Sequence, residues 1–592
     1  MRAMDQFSAA AGKPASPGDL SARGPASAGQ FDTEFEPGGP ASAAFTAGAS
    51  GRVSGAASGV SDPASEQDAV EGRRNGTPSG AAQAWAALGG DPALLGRVSY
   101  ERRPGVLPSA LPVRELASAA VAVCSLAAAE FSCVRARSAL LPPVRVDDGA
   151  VATAFHSDRL VRIDGHGPAA FAPLSRFWRT ADGWVRTHAN YPHHRARLLS
   201  ALGMQDHGPA EDEAAAGRVA TELASRRARE VEEVVFREGG LAVAVRTPEE
   251  WVAHPQRQAV AAAPLVAVGG LDAAPTPALE GPPGPGGLRG LRVLDLTRVL
   301  AGPVATRTLA LLGADVLRVD APERPEFPGT HADTGLGKRS TLLDLSSRAG
   351  QATFEELLAS AHVVVTGYRP GALDRFGLAP ESLMDRRPGL VVGQLSAWGP
   401  AGPWQRRRGF DSLVQAATGI AAVEAAESAG GDSSSPDLVP GALPAQALDH
   451  GSGYLLAAGL LRALTEQRTG TAGSRLVRLS LARTAHWLLH DLPGAPLSDA
   501  ARQGAGGAAP GGAGTVRGAQ AAAEPPLDHA PWLAEADSPL GRLRYALPAV
   551  GFGTAARAGG PREAGGTPDA ACSPRDWARV PGLVGGDSTE WI

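Results

Sequence analysis

Short apolar runs alternate with helical stretches through the middle of the chain. Helical stretches such as 353–360 separate them. The apolar runs, rich in valine and leucine, occupy 290–297, 313–320, 361–368 and 389–399. Strands that alternate with helices indicate a parallel sheet with helices packed on it. The pattern therefore predicts an α/β fold, with a doubly wound, Rossmann-like large domain and a smaller α/β domain.

The ends of these predicted strands are the expected place for a ligand, because such sheets bind ligands beyond their carboxyl ends. The strands end near Arg298, Asp320, Tyr368 and Trp398. A dinucleotide-binding sheet carries a GxGxxG turn after its first strand. This chain has TRVLAGPVA there, in which the Gly-Pro pair indicates a different turn. A nicotinamide dehydrogenase is therefore disfavoured.

Composition divides the rest of the chain. Residues 1–80 are rich in Gly, Ala, Ser and Pro and predict a disordered tail. Linkers of similar composition are expected at 272–287 and 503–526. The blocks that remain are a degenerate half of a large domain at 81–170, a small domain at 171–271, a large domain at 288–500 and a C-terminal return segment at 527–592.

Charge and cysteine content exclude several classes of function. The 592 residues carry a formal net charge of −5, which gives no basic footprint for nucleic acid or an acidic membrane surface. The three cysteines form no CxxC or Cys/His cluster, so we expect a reducing compartment and no metal site. The N-terminus lacks the apolar core of a signal peptide, and no unbroken apolar run is long enough to span a membrane. A cytoplasmic protein is expected.

One carboxylate in the large domain raises a specific question. Asp449 precedes an apolar helical run in which leucines recur at helical spacing, at Leu455, Leu456, Leu460, Leu461 and Leu464. Asp is a preferred N-cap residue, so Asp449 has a purely structural interpretation. A carboxylate can also act as a covalent nucleophile. The same stretch is part of a weak internal repeat. The sequence LPVRELASAAV from 111 parallels LPAQALDHGSG from 443, with Ala117 at the position of Asp449.

Several ordered motifs resemble those of family III CoA-transferases, the family of formyl-CoA and carnitine CoA-transferases and of alpha-methylacyl-CoA racemase. The resemblance covers about 288–490 and is carried by GLRVLDLTRVLAGPVATRTLALLGADVLRVDAPERP, GKRSTLLDL, RPGALDRFGL, LSAWGPAGPW, GFDSLVQAATGI and ALDHGSGYLLAAGLLRALTEQRTG. FWRTADGWVRTHANYPHHRARLLSALG (177–203) resembles the start of the family's small domain, and SPLGRLRYALPAVGF resembles its C-terminal return. The resemblance implies a fused, rearranged member of the family that is a pseudo-dimeric monomer or a homodimer.

The resemblance also implies an activity and a site. Asp449 occupies the position of the family's catalytic aspartate, which implies transfer of CoA from an acyl-CoA thioester to a carboxylic acid through a covalent aspartyl intermediate. Coenzyme A thioester is then a substrate and no cofactor is bound permanently. The residues implied in CoA binding are Arg298, Arg324, Lys338, Arg339 and Arg369. The glycines of the HGSG sequence that begins at His450 are candidates for an oxyanion site or for close helix packing.

Two alternatives stay open from the sequence. The racemases of the family place a histidine where this chain has Phe410, and a phenyl ring cannot move a proton. The loop EFPGTHADTGLGKRS is shorter than in the family, which leaves a non-catalytic acyl-CoA-binding homologue possible. The retained carboxylate of Asp449 argues against that alternative. His193 and His194 lack other ligands at metal-binding spacing and indicate the start of a surface helix.

Overall fold

The computed structural model describes residues 79–168, 171–429, 439–470, 473–497, 526–553 and 572–592. The predicted tail at 1–80 and the predicted linker at 503–526 lie outside these ranges, apart from residues 79, 80 and 526. The predicted linker at 272–287 is described and contains no helix or strand.

The described residues form fifteen strands. In chain order they are β1 Val98–Glu101, β2 Val144–Asp147, β3 Arg162–Ile163, β4 Phe177–Thr180, β5 Gly183–Thr187, β6 Ala242–Ala244, β7 Ala267–Gly270, β8 Arg292–Leu296, β9 Asp315–Asp320, β10 Arg339–Leu342, β11 Val363–Thr366, β12 Val391–Ser396, β13 Arg475–Ser480, β14 Leu533–Ser538 and β15 Gly541–Ala546.

The described residues also form seventeen α-helices. They are α1 Gly80–Ala87, α2 Val113–Ala136, α3 Asp148–Phe155, α4 Ser157–Leu160, α5 Pro192–Ala201, α6 Asp212–Ala224, α7 Ala228–Arg237, α8 Pro248–Val252, α9 Pro255–Ala262, α10 Ala301–Leu311, α11 Pro328–Thr334, α12 Arg348–Leu358, α13 Pro380–Arg386, α14 Asp411–Thr418, α15 Ile420–Ala429, α16 Ala447–Thr469 and α17 Leu481–His486.

A seven-stranded sheet forms the centre of the fold, in the order β10-β9-β8-β11-β12-β13-β7. The first six strands are parallel, and β7 pairs antiparallel with β13. The four apolar runs of the sequence form β8, β9, β11 and β12, which confirms the predicted parallel α/β fold. The Gly-Pro pair after β8 was predicted to form a turn. This is wrong, because Gly302 and Pro303 lie in the first turn of α10.

Both faces of this sheet are apolar, because successive side chains of a strand point to opposite faces. On β11, Val363 and Val365 pack in the core that contains α10 and α16, whereas Val364 packs in a second core with Phe354 of α12 and Met384 of α13. Burial on both faces explains why the strands are continuous apolar runs rather than alternating ones.

The block before the small domain repeats part of the main sheet. The order β1, α2, β2, α3 matches β12, α16, β13, α17, except that α14 and α15 are inserted between β12 and α16, and in each set the two strands pair in parallel. Helices α2 and α16 pack along each other, with Arg462 of α16 paired to Glu130 of α2. The weak internal repeat of the sequence, at 111 and 443, therefore corresponds to a repeated arrangement of four elements.

Helix α2 is long and apolar enough to cross a membrane by length and composition, unlike any other helix among the described residues. The expectation that no such segment exists is therefore wrong on these two criteria. The prediction considered only unbroken apolar runs, whereas Ser118 and Ser125 interrupt the apolar sequence of this helix and its mean hydropathy is still 1.7. In its most apolar window 83% of the residues are buried inside the protein, as in a core helix.

The remaining strands form two small sheets. Strands β4, β5 and β6 pair antiparallel within the predicted small domain, and α5 to α9 accompany them. Strand β7 follows these helices and joins the edge of the main sheet. Strand β14 pairs antiparallel with β15, and β15 pairs antiparallel with β3. The limits of the predicted domains stay a prediction.

A glycine in α16 allows the closest approach of two core helices, and its replacement should destabilise the protein. A Cβ atom at Gly453 would lie 2.6 Å from the carbonyl oxygen of Ala301 and 2.8 Å from Val304 Cβ, both in α10. Because a backbone atom cannot move aside cheaply, we expect Gly453→Ala to lower the free energy of unfolding by about 1–3 kcal/mol.

Gly217→Ala is the matched control in this experiment, measured by denaturant unfolding of both variants. Gly217 lies on the exposed side of α6, and a Cβ atom there would meet nothing within 4 Å. Alanine is the better helix former, so this variant should be more stable by about 0.5–1 kcal/mol. Equal effects at the two positions would refute the close-approach argument.

Candidate functional site

A cavity of about 610 Å³ opens at the carboxyl ends of the parallel strands. Its lining includes Arg298 after β8, Ala321 after β9, Tyr368 after β11 and Ala397 after β12. This is the location expected from the strand ends of the sequence. The cavity is large enough for a sizeable organic ligand.

Asp449 forms part of the cavity wall and is only 7% exposed. Helix α16 begins at Ala447, and its N-cap residue is Gln446, whose side chain makes no capping hydrogen bond. Asp449 is therefore in the first helical turn, and the interpretation of Asp449 as an N-cap is wrong. The described part of the chain donates no hydrogen bond to its carboxylate, which leaves the oxygens free to meet a ligand.

A second buried carboxylate lies against Asp449. Asp411, in the first turn of α14, accepts a hydrogen bond from the backbone N–H of Asp449 at 2.9 Å. Burial raises the pKa of Asp449 well above its usual range, and the charges of Asp411 and Asp158 raise it further. Burial also raises the pKa of Asp411 to about 6, although hydrogen bonds from Gln415 and from the Asp449 amide oppose the shift. The two carboxylates compete for ionisation because like charges repel in a low-dielectric site.

Six arginines contribute to the cavity wall. Three predicted binding residues, Arg298, Arg324 and Arg369, lie in the wall, and the sequence analysis missed three more, which are Arg375, Arg407 and Arg408. Burial lowers the pKa of Arg408, and the positive charges of Arg369, Arg324 and Arg197 lower it further.

Most of these arginines lack a carboxylate partner. Arg324, Arg369, Arg375 and Arg408 form no ion pair with any described residue, whereas Arg298 is paired with Glu326 at 3.6 Å. A concentration of uncompensated guanidinium groups favours an anion, because guanidinium matches the geometry of phosphate and carboxylate. The cavity can therefore hold a ligand that carries several negative charges.

Lys338 and Arg339, also predicted to bind the ligand, do not line the cavity. Lys338 is 2% exposed, and its Nζ donates to Asp295 Oδ2 at 2.9 Å and to Thr306 Oγ1 at 2.7 Å beneath α10. Burial lowers the pKa of Lys338 to about 8, while Asp295 opposes the shift. Arg339 donates through Nε and Nη2 to both oxygens of Asp315, each at 3.0 Å. The structure thus uses this basic pair to fix β10 against its neighbours.

The small domain supplies an aromatic part of the cavity wall. Helix α5 begins at Pro192, as predicted, but His194 is 5% exposed and lines the cavity instead of facing solvent. Its ring lies 5.8 Å from that of Phe410, which is stacked on His188 at 3.8 Å. Burial, together with nearby positive groups that include His193 and Arg408, lowers the pKa of His194 to about 2. Helix α5 does have an exposed face, at Pro192, Arg197 and Ser200, as expected of a surface helix, but His194 is on its buried face near Phe410.

The loop after β8 is held in a strained conformation beside the cavity. Val299 has φ +69°, which is a genuine outlier for a β-branched residue. Its N–H donates to Glu326 Oε2 at 2.9 Å, and Glu326 Oε1 accepts from Tyr191 Oη of the small domain at 2.9 Å. Burial opposes the charge of Glu326, but Arg318 and Arg298 outweigh it and lower the pKa. Strained residues of this kind concentrate at ligand sites.

Comparison with known proteins matches the part of the chain that supplies most of the cavity lining. Residues 288–517 match the family model described as CoA-transferase family III. This part of the chain belongs to CoA-transferase family III. The matched range begins just before β8 and contains Asp449 and all the arginines of the cavity wall.

Relatives of the family III domain are CoA-transferases by name. The chain is 33% identical over 199 residues to the probable fatty acyl-CoA transferase Rv3272 of Mycobacterium tuberculosis, which is 31% of this chain and 48% of that protein. It is 31% identical over 201 residues to the formyl-CoA:oxalate CoA-transferase of Rhodopseudomonas palustris, which is 32% of this chain and 45% of that protein. A crystal structure of Rv3272 matches 34% of this chain and 57% of that chain at 33% identity, with a TM-score of 0.30. The chain spans less than half the length of each of these two curated relatives.

Removing the buried amine of the family III domain should destabilise the protein. Lys338→Met leaves the buried carboxylate of Asp295 without its partner, and breaking a buried pair on one side costs about 3–5 kcal/mol. We expect a loss of that size in the free energy of unfolding, measured with denaturant at neutral pH.

The double variant Asp295→Asn, Lys338→Met is the control, because it leaves no lone charge in the core. It should recover part of the lost stability. A loss below about 1 kcal/mol in Lys338→Met would contradict the structural role assigned to this pair.

Proposed function

We propose that the chain is a CoA-transferase that moves CoA from an acyl-CoA thioester to a carboxylic acid acceptor, with Asp449 as the covalent nucleophile. The observation that carries the proposal is the placement of Asp449. Its carboxylate lies in the wall of a cavity that is also lined by arginines without a carboxylate partner among the described residues. Membership of the family III domain supports the same activity.

The proposed reaction proceeds through a series of acyl intermediates on Asp449, and in each step one bond to an acyl carbon forms while another breaks. A carboxylate oxygen of Asp449 attacks the thioester carbonyl carbon, the C–S bond breaks, and CoA leaves as the thiolate with a mixed anhydride on the protein. The thiolate then attacks the Asp449 carbonyl carbon and releases the donor acid as its carboxylate. An acceptor carboxylate attacks the resulting aspartyl-CoA thioester, and the thiolate completes the cycle by attacking the acceptor side of the new anhydride. No net proton or electron is exchanged.

The arginines of the cavity are suited to the phosphates of coenzyme A. Coenzyme A carries several phosphate charges, and guanidinium groups bind phosphate through paired hydrogen bonds. Arg324 and Arg375 are exposed and Arg369 is half-buried, so these guanidinium groups of the cavity wall can be reached from solvent. Asp449 lies at the buried side, where water is scarce and attack on an acyl group meets less competition from hydrolysis.

The strand order supports a doubly wound, Rossmann-like arrangement of the large domain. Numbered from β8, the six parallel strands have the order 3-2-1-4-5-6, which is the order of dinucleotide-binding sheets. Strands β9 and β10 are added on one side of β8, and β11, β12 and β13 are added on its other side, so the strand order reverses between β8 and β11. The cavity is lined by residues that follow both strands, Arg298 and Tyr368, and so lies at the point where such sheets bind ligands.

The racemase alternative is not favoured. It needs a second proton-transfer group opposite Asp449. Phe410 cannot serve, and His194, a cavity-lining imidazole whose ring lies 5.8 Å from that of Phe410, is a poor proton acceptor because its pKa is lowered to about 2. The named relatives reported above are transferases.

Trapping of a covalent intermediate tests the proposal directly. The protein is incubated with acetyl-, succinyl- and oleoyl-CoA, quenched with hydroxylamine and digested, and peptide masses are searched for a hydroxamate. We expect the hydroxamate on Asp449, because anhydrides and thioesters of a carboxyl group react with hydroxylamine. Only ionised Asp449 is a nucleophile, so labelling should fall as the pH is lowered through the raised pKa of this group.

Asp449→Asn is the control and should give no hydroxamate at this position. A hydroxamate on Asp411 instead would assign the nucleophile to the neighbouring carboxylate. An unlabelled Asp449 in protein that binds all three thioesters would refute the covalent mechanism.

Loss of one unpaired arginine should weaken binding of coenzyme A. Arg324→Met removes a guanidinium group from the cavity wall without breaking an ion pair among the described residues. A hydrogen bond to a charged group is worth about 1.5–3 kcal/mol, so we expect a dissociation constant at least about tenfold higher by calorimetry.

Arg218→Met is the matched control, since Arg218 lies on the exposed side of α6 and does not line the cavity. Its affinity for coenzyme A should stay within about twofold of the unmodified protein. Equal weakening in both variants would indicate a general effect of net charge rather than a contact at the cavity.

A further inference from the structure

The first block, or N-terminal block, comprises α1 to α4 and β1 to β3. It contacts the segment that leads into α16, the helix that carries Asp449. His156 Nε2 lies 3.1 Å from the carbonyl oxygen of Pro444, and Arg159 Nη1 donates to the same oxygen at 2.7 Å. Pro444 is three residues before α16 begins at Ala447. Contacts from the first block therefore fix the entry of the chain into this helix.

A carboxylate of the same block reaches the residue next to Asp449. Asp158 of α4 is 3.4 Å from Nε2 of His450 through its Oδ1. His450 is fully buried, and its ring lies 5.3 Å from that of Phe155, also in the first block. With the proton on Nε2, the imidazole donates to Asp158, which sets the orientation of the ring.

The charges around this pair come from three parts of the chain. Asp449 and His450 are on α16, Asp411 is on α14, and Asp158 is on α4, while His156 and Arg159 flank Asp158 in its own segment. Burial opposes the charge of Asp158, but the hydrogen bond from His450 and its positive neighbours outweigh it and lower the pKa. Asp158 therefore carries a negative charge behind Asp449 over most of the pH range.

We infer that the N-terminal block completes the site of the family III domain, with Asp158 as a positioning residue that orients His450 and places negative charge behind Asp449. The inference rests on the proposed role of Asp449 in CoA transfer. It assigns a function to a block that lacks the aspartate itself, since Ala117 stands at the corresponding position of the repeated arrangement.

Chemical labelling of carboxyl groups tests this inference without relying on turnover. A water-soluble carbodiimide with an amine nucleophile modifies protonated carboxyl groups, and peptide masses give the pH at which half of Asp449 is modified. Asp158→Asn keeps the shape and the acceptor for His450 but removes the charge. Because a neighbouring negative charge raises a carboxyl pKa, we expect the midpoint for Asp449 to fall by at least about half a pH unit in the full chain.

A second variant tests the contact to His450. Asp158→Ala removes the acceptor, so the imidazole loses its fixed orientation beside Asp449. We expect hydroxamate formation on Asp449 from the thioester panel to slow by about tenfold, because small displacements of a reacting group are costly. Thermal unfolding of each variant establishes that the protein remains folded during labelling.

Asp537→Asn is the matched control, since this side chain is 90% exposed and lies on β14. It should leave both the midpoint and the labelling rate unchanged. An unchanged midpoint in Asp158→Asn would overturn the charge part of the inference, and a wild-type rate in Asp158→Ala would overturn the positioning part. Absence of hydroxamate from the unmodified protein would overturn the proposed function itself, whatever the carbodiimide midpoint.

Discussion

The contact between Asp411 and the first turn of α16 is the constraint on which the site depends. Two carboxylates are buried side by side, and the backbone N–H of Asp449 is bound to its neighbour. Such an arrangement is stable only if other groups hold both helices in place. Gln415 does so, because its Nε2 donates to Asp411 while its Oε1 accepts from the backbone N–H of Leu443 at 2.9 Å. One amide thus connects α14 to the segment that leads into α16.

Three separate parts of the chain meet around that contact. The parallel sheet supplies the strand ends, the small domain supplies the aromatic wall with His194, and the first block supplies Asp158. Their order along the chain gives no hint of this, since Asp158 and His450 are separated by 292 residues. The pairing of α2 with α16 brings them together, because it aligns two versions of the same four-element arrangement.

The main sheet could be predicted from the sequence because its signal is local. Each strand buried on both faces is a short apolar run, and the cationic residues after such strands, Arg298 and Arg369, must gather at one edge. Lys338 and Arg339 could not be placed in this way. A basic pair before a strand has the same sequence whether it faces solvent or a buried carboxylate, and Asp295, the partner of Lys338, is 43 residues away.

The position of Asp449 was predictable, but its environment was not. The family's motif order located the carboxylate, whereas the N-cap interpretation failed because α16 begins two residues earlier, at Ala447. The raised pKa values of Asp449 and Asp411 arise from burial by residues far away in the chain. No short stretch of sequence encodes that burial, so the electrostatics of the site become visible only in the folded protein.

The strained loop after β8 shows how the small domain can influence the cavity without touching Asp449. A valine at φ +69° persists only if its surroundings favour that conformation strongly. Glu326 provides this by accepting the N–H of Val299, and its other carboxylate oxygen is bound to Tyr191 of the small domain. The ring of Tyr191 also lies 5.1 Å from the guanidinium of Arg298. The loop that contains Val299 therefore owes its shape to Glu326 and Tyr191, and a displacement of Tyr191 would alter Val299 and Arg298 together.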